Sequence, residues 1–206
     1  MKILNSLYLA PIEYYSVLFS AEQTLIEIHD NYQKQSYRNR CMIAGANGAT
    51  SLSIPIEKPT TTKCKMKDIR ISEHGNWRHL HWNAIISAYN SSPFFEYYED
   101  DFRPFYEKKQ SFLHDFNEEL RQLICRLIGI ETPVSYTDTY IQTAPDVATD
   151  FRELIHPKKT PTAETPVYYQ VFAEKNGFIP NLSIVDLLFN KGNESRLILR
   201  REGVKT

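Results

Sequence analysis

The densest group of polar side chains in the sequence lies between residues 29 and 40. Within it, Lys34, Arg38 and Arg40 offer only hydrogen-bond donors, so together they suit a phosphate or carboxylate group. An apolar segment that favours a strand ends just before this group, and α/β proteins place ligands outside the ends of strands. The pattern predicts a binding loop for an anionic small molecule. The alternative is a solvated loop whose cations pair with the acidic stretch at 96–119.

Three more side chains of this loop are candidates for a site. Asp30 accepts hydrogen bonds when ionised, and the neighbouring cations disfavour its acid form. Asn39 could orient a carbonyl group, and Tyr37 could contact a substrate. We therefore predict that Asp30 has a catalytic role and that Tyr37 and Asn39 bind substrate together with the three cations.

A second group at residues 77–82 contains two histidines separated by one leucine. On a helix these histidines diverge by about 200°, so they cannot bind one metal ion. His81 shares an apolar stripe with Trp77 and Tyr89, which predicts an inward-facing imidazole whose pKa is sensitive to burial. His81 could act as a general base oriented by Asp30, with Trp77 and Tyr89 in contact with substrate. The alternative is a core histidine with satisfied hydrogen bonds.

The cysteines and glycines give no cofactor signal. Cys41, Cys64 and Cys125 are widely spaced and form no C-x-x-C pair, so neither a zinc site nor a disulfide framework is indicated. A hydrolase with Cys41 as nucleophile is a further hypothesis, although Cys41 falls in an alternating segment typical of a buried strand. The chain has no glycine-rich phosphate loop. We expect no metal and no cofactor.

The elements that must position these residues indicate an α/β or α+β fold, with helices packed on a mixed sheet in a single domain over 1–206. Strands are predicted near 3–9, 24–29, 40–44, 50–56, 68–72, 134–142 and 168–172. Helices are predicted after Pro11, from Asn76 to about Asn90, from Ser92, from Asp115 to Gly129 and from Ser183 to Asn190. The composition of 157–166 predicts a mobile loop.

Charge and hydropathy exclude several kinds of partner. The 206 residues include 24 basic and 25 acidic side chains, and a net charge of −1 offers no general attraction for polyanions. Nucleic acid is therefore not expected to bind. No apolar run approaches the ~20 residues that a membrane span needs, and no signal peptide is recognised. We expect a cytoplasmic protein that binds a small-molecule substrate, and a homo-oligomer is compatible with the sequence.

Segments in order along the chain resemble the WbqC-like family of bacterial proteins. They are Asp30–Arg40, Ile69–Ser72, Asn76–His81, Ala88–Tyr89, Ser92–Phe95 and Phe178–Asn190. Members of that family occur in gene clusters for O-antigen lipopolysaccharide and other surface polysaccharides, and aminoacyl (glycyl) transfer has been suggested for it. The resemblance implies a transferase that moves an acyl or aminoacyl group onto an amino sugar. A module that binds a sugar nucleotide or a partner enzyme through the same loop, without catalysis, is the alternative.

The chain departs from the family's pattern near its N-terminus. Members usually open with a strand followed by His-Gln-Pro, and here those positions carry Asn5, Ser6 and Leu7. Ile12 stands where the family usually has tryptophan. If that histidine carries the chemistry in other members, this chain must use different groups or have a different activity.

Overall fold

The structure is a computed structural model that describes residues 1–59, 61, 63–162 and 164–201. Its strands are β1 Lys2–Asn5, β2 Thr24–Glu27, β3 Arg40–Gly45, β4 Gly48–Ser53, β5 Val134–Tyr136 and β6 Thr149–Asp150. Its α-helices are α1 Ile12–Phe19, α2 Trp77–Tyr89, α3 Phe95–Glu107, α4 Leu113–Ile128, α5 Ala173–Asn176, α6 Ile184–Lys191 and α7 Ser195–Arg201. The predicted α/β class, with helices packed on a sheet, is confirmed.

Four strands form a parallel sheet in the order β5-β2-β1-β6. Strands β3 and β4 pair separately as an antiparallel hairpin, so the strands expected in one mixed sheet fall into two. Because the four strands of the first sheet run in the same direction, their carboxyl ends meet at one edge. Asn5 and Glu27 are paired neighbours at that edge.

Aromatic side chains join the helices in the core. The ring of Phe189 in α6 has its centroid 5.2–5.4 Å from those of Tyr89, Phe95 and Phe102. Gly192, directly after α6, has φ +54°, and a Cβ there would lie 2.8 Å from the Phe94 ring. A side chain at this position would therefore push apart the α3 and α6 ends.

The predicted strand at 68–72 is wrong. Met66–Asp68 form a 3-10 turn, and Arg70 and Ile71 then make single bridges to Phe112 and Ile56. The alternation of Ile69 and Ile71 therefore reflects packing between loops. The predicted strand at 168–172 is also absent among the described residues, and the short strand β6 was not predicted.

Two predicted helix starts need correction, and neither Asn76 nor Ser183 caps the helix that follows it. Helix α4 begins at Leu113 rather than at Asp115, and α3 begins at Phe95 rather than at Ser92. Asn76 precedes α2 with φ +48° and makes no side-chain capping hydrogen bond. The hydroxyl of Ser183 donates to the Leu9 carbonyl at 2.7 Å instead of capping α6.

The segment 157–166 crosses back to α1. Thr162 N donates to Glu13 Oε2 at 3.1 Å, and Thr165 Oγ1 accepts from Asn181 N at 3.1 Å. Residue 163 lies outside the described residues. The predicted mobility of this loop stays a prediction.

Candidate functional site

A polar cleft of about 480 Å³ opens where the parallel strands end. Its wall comes from segments that follow β2, β5 and β6, together with one lysine from the loop after β4. The lining residues are His29, Asp30, Asn31, Gln33, Lys65, Tyr140, Gln142, Asp150, Arg152 and Glu153. Small molecules bind α/β proteins in clefts of this size at this edge of the sheet. We call it the sheet-edge cleft.

Glu27, the last residue of β2, connects the segments around the cleft. Its carboxylate is fully buried. Oε1 accepts hydrogen bonds from His29 N and Thr137 Oγ1, both at 2.8 Å. Oε2 accepts from Ile141 N at 2.9 Å and from Arg152 Nη1 at 3.3 Å. One buried carboxylate therefore fixes the chain after three different strands.

Asp30 and Arg38 form a buried ion pair at the same edge. Arg38 Nη2 donates to Asp30 Oδ2, and Nη1 donates to Gln33 Oε1 at 3.2 Å. Burial raises the pKa of the Asp30 carboxyl, and the Arg38 guanidinium opposes that rise. The described residues offer no hydrogen-bond partner to two buried atoms of this pair, Asp30 Oδ1 and Arg38 Nε. The Arg38 guanidinium thus holds Asp30 and is not presented to solvent.

The other predicted residues of the 29–40 loop do not line the cleft. Asn39 Nδ2 donates to the Ile54 carbonyl at 2.8 Å, and Arg40 Nε donates to Ser53 Oγ at 3.2 Å. The first contact anchors the loop to the end of the β3-β4 hairpin, and the second lies within the hairpin. Tyr37 is buried, which raises its pKa to about 12, and Lys34 is exposed. Direct substrate contact by these four side chains therefore gains no support from the geometry.

His81 is buried, as its apolar stripe indicates, but it does not contact Asp30. Its Nδ1 lies 3.0 Å from Tyr8 Oη, which also lies 3.0 Å from Tyr106 Oη. Burial lowers the pKa of His81 to about 4, opposed by a contact with the Ser53 backbone. His81 contacts Tyr8 and Asp30 contacts Arg38, so the predicted pair of His81 and Asp30 is not formed. A base with so low a pKa is a weak proton acceptor, which favours the alternative of a core histidine.

The low pKa of His81 predicts a specific loss of stability in acid. Between pH 6.5 and about 4 the unfolded chain binds a proton at this histidine and the folded chain does not. This difference lowers the free energy of unfolding by about 3 kcal/mol. Above pH 6.5 the imidazole is neutral in both states and this term vanishes. Urea unfolding of wild type and His81→Asn at pH 7.5 and 4.5 should show wild type losing most of this amount relative to the variant. An equal difference between the two proteins at both pH values would contradict the assignment.

Tyr89 and Trp77 also lie away from the sheet-edge cleft. Tyr89 Oη donates to Asp186 Oδ1 at 3.0 Å and accepts from Ala44 N at 3.2 Å, which ties α2 to α6 and β3. Trp77 lines a different cleft. Cys41 is buried, and this raises the pKa of its thiol, so little thiolate forms at neutral pH. The geometry therefore disfavours Cys41 as a nucleophile.

Sequence reasoning missed the contribution of residues 140–153. Arg152 binds Asp150 through two parallel hydrogen bonds, Nε to Oδ1 at 3.0 Å and Nη2 to Oδ2 at 2.7 Å. The Arg152 carbonyl accepts from Asn5 Nδ2 at 2.7 Å, so the end of β1 is tied to the same segment. The only local signal was an acidic and a basic residue two positions apart, which is common in loops.

The fold and the cleft define an α/β protein with a polar cleft at the carboxyl edge of its parallel sheet. The model of the WbqC-like protein family matches residues 6–156 and 151–198, and the chain belongs to this family. It is 25% identical over 224 residues to a Mycobacterium tuberculosis protein described as uncharacterized protein Rv1507c, with 96% of each chain covered. No solved structure gives a significant match.

None of the helices in the described part of the chain combines the length and the apolar character that crossing a bilayer requires. Over the same residues, no three side chains of the His, Cys, Asp and Glu types are grouped so that they could hold a metal ion.

Proposed function

We propose that this protein is a transferase that moves an acyl or aminoacyl group onto an amino sugar in surface-polysaccharide biosynthesis, with the sugar in the sheet-edge cleft. Family membership supports the biological setting. The observation that carries the proposal is the chemistry of the cleft wall. It combines amide, carboxylate, phenol and cationic groups around one opening.

This wall suits a sugar because each sugar hydroxyl both donates and accepts hydrogen bonds. Asn31, Gln33 and Gln142 supply amide groups that can do the same. Gln33 Nε2 also lies 3.1 Å from Glu153 Oε1, which places an amide and a carboxylate within reach of one solute. The ring of Tyr140 offers an apolar face of the kind that packs on a sugar ring.

Cations in the cleft suit the phosphate groups of a nucleotide-linked sugar. Lys65 and Arg152 lie among the lining residues. Arg152 is mostly engaged by Asp150 and Glu27, so Lys65 is the freer of the two charges. These two cations differ from Lys34, Arg38 and Arg40, the three that the sequence predicts to bind the anion.

In the proposed reaction the amine of the sugar attacks the carbonyl carbon of an acyl donor. A carbon–nitrogen bond forms and the bond to the leaving group breaks. Asp30 accepts the proton of the amine and returns it to the leaving group. Among the described residues its Oδ1 atom has no hydrogen-bond partner, and its raised pKa makes the carboxylate a better proton acceptor than an exposed one. Arg38 holds the other oxygen in place.

Binding of a sugar nucleotide should depend on Gln142, which lines the sheet-edge cleft, and not on a glutamine outside the cleft. With UDP-glucosamine as the probe, Gln142→Ala should raise the Kd about 5- to 10-fold, the value of one or two lost hydrogen bonds. Gln122→Ala, which changes an exposed glutamine of α4, is the matched control and should leave the Kd unchanged. Calorimetric titration of the three proteins measures this. Equal Kd values for wild type and Gln142→Ala would place the sugar elsewhere.

Transfer itself is tested by mass spectrometry of UDP-glucosamine incubated with acetyl-coenzyme A or a glycyl thioester. The proposal expects a product heavier by the acyl group, formed more slowly by Gln142→Ala. Binding in the cleft without transfer from either donor would favour the second candidate, a non-catalytic binding module. One observation supports that candidate: Asn5 stands where the family usually has histidine. Its side-chain amide donates to the Arg152 carbonyl, which is a structural contact.

A further inference from the structure

A second cleft, of about 330 Å³, lies at the first turn of α2 and the end of α3. It shares no lining residue with the sheet-edge cleft. Trp82 and Tyr106 line it as a stacked pair, with ring centroids 5.4 Å apart and planes inclined by 24°. We call it the α2 cleft, and the function proposed above makes no use of it.

Arg78 lines the α2 cleft, and two of its three guanidinium nitrogens make no hydrogen bond to the described residues. Nη1 donates to both carboxylate oxygens of Glu73, at 2.8 and 2.7 Å. Nε and Nη2 are buried and have no hydrogen-bond partner within the part of the chain that the structure describes, and the side chain is only 9% exposed. These two atoms are the neighbouring donors with which arginine binds a carboxylate or phosphate through two parallel hydrogen bonds.

The surroundings hold this guanidinium in place and add further donors. Its central carbon lies 4.7 Å from the Trp77 ring centroid, so the indole supports one face. The Trp77 indole Nε1 is also buried, and no described residue accepts a hydrogen bond from it. Asn76 leaves the N-terminus of the 13-residue helix α2 without a side-chain cap. Uncapped N–H groups at a helix N-terminus favour a negative charge nearby.

Net charge does not explain attraction of an anion to this cleft. Glu73 and Glu107 offset Arg78 and Lys109 among the lining residues, and Lys109 Nζ lies 3.8 Å from Glu73 Oε2. Selectivity must therefore come from the unused donors of Arg78 and Trp77. We propose that the α2 cleft is a binding site for an oxyanion, a carboxylate or phosphate group, held by Nε and Nη2 of Arg78.

The two tryptophans of the chain both line this cleft, so tryptophan fluorescence reports on it directly. The protein is titrated with inorganic phosphate and, in a separate arm, with acetate, with sodium chloride keeping the ionic strength constant. We expect a saturable change in emission in at least one arm, and the arm that saturates identifies the group. No saturable change in either arm would overturn the proposal.

Variants test the role of the guanidinium. Arg78→Lys keeps the charge but lacks the paired donors, so the Kd of the saturating anion should rise at least 10-fold. Arg103→Lys changes an arginine of α3 that is 43% exposed and pairs with Glu99, and it should bind as wild type does. An unchanged Kd for Arg78→Lys would overturn the proposal.

Glu73→Gln provides a test that a folding defect cannot imitate. It removes a half-exposed carboxylate that competes for Arg78, so the Kd should fall severalfold. Far-ultraviolet circular dichroism shows whether each variant is folded. If Arg78→Lys does not fold, Glu73→Gln decides, and a Kd equal to or above that of wild type overturns the proposal.

Discussion

Replacing Arg38 by methionine is expected to lower the free energy of unfolding by about 3–5 kcal/mol, the usual cost of leaving one partner of a buried ion pair alone. Arg38 is among the most deeply buried large side chains of the protein, and its partner Asp30 is itself about 90% buried. Urea unfolding at pH 7.5 measures the loss. Arg40→Met, which removes a partly exposed arginine two residues later, is the control and should cost under about 1 kcal/mol.

The stability lost in Arg38→Met should depend on pH, and a second substitution should restore much of it. Without Arg38 the pKa of Asp30 should rise further, so the folded variant takes up a proton there more readily than the unfolded chain does. Its stability deficit should therefore be largest above that raised pKa and should shrink as the pH falls toward ~4. Adding Asp30→Asn to Arg38→Met removes the stranded charge and should recover much of the loss at pH 7.5. A deficit that is below 1 kcal/mol, or that does not change with pH, would contradict a buried ion pair.

Glu27→Ala should have a comparable effect and should also abolish binding in the sheet-edge cleft. The change leaves the Thr137 hydroxyl and the backbone N–H groups of His29 and Ile141 without their acceptor, and it removes one of the acceptors of Arg152. Each unsatisfied group costs about 1–3 kcal/mol, so a total loss of at least 3 kcal/mol is expected. Unfolding by urea and calorimetric titration with UDP-glucosamine measure the two effects on one preparation.

Glu22→Ala is the matched control for Glu27→Ala, since it removes an exposed glutamate from the turn before β2. It should change neither the free energy of unfolding nor the Kd. If Glu27→Ala folds with near wild-type stability and still binds the sugar nucleotide with the same Kd, Glu27 does not organise the cleft. The proposed position of the substrate would then be wrong as well.

The polar loop at 29–40 was recognisable from sequence because local pattern decides where a strand ends and a polar segment begins. Its first residues, His29, Asp30, Asn31 and Gln33, do line the cleft. Which of its cations faces the ligand was not predictable. Arg38 and Lys34 are both cations of this loop, and only the tertiary structure shows that the buried carboxylate of Asp30 holds the Arg38 guanidinium inside while Lys34 stays exposed.

The half of the cleft formed by 140–153 could not be found in the sequence. Strand β6 is two residues long and gains its order from pairing with β1, almost 150 residues away in the chain. So short a segment carries no alternation of apolar and polar residues. His81 was also predictable only in part. Its apolar stripe indicates burial, but its contact with Tyr8 instead of Asp30 depends on how α2 packs against the N-terminal segment.

The central claim is that the substrate binds at the carboxyl edge of the parallel sheet. Hydrogen–deuterium exchange with and without UDP-glucosamine tests this claim most directly. Bound ligand should slow exchange of backbone amides in the segments that line the cleft. The account predicts protection in peptides that cover 29–33 and 140–153, reduced in Gln142→Ala and retained in Gln122→Ala. Protection that is absent from both segments, or confined to the α2 cleft at 73–82, would contradict it.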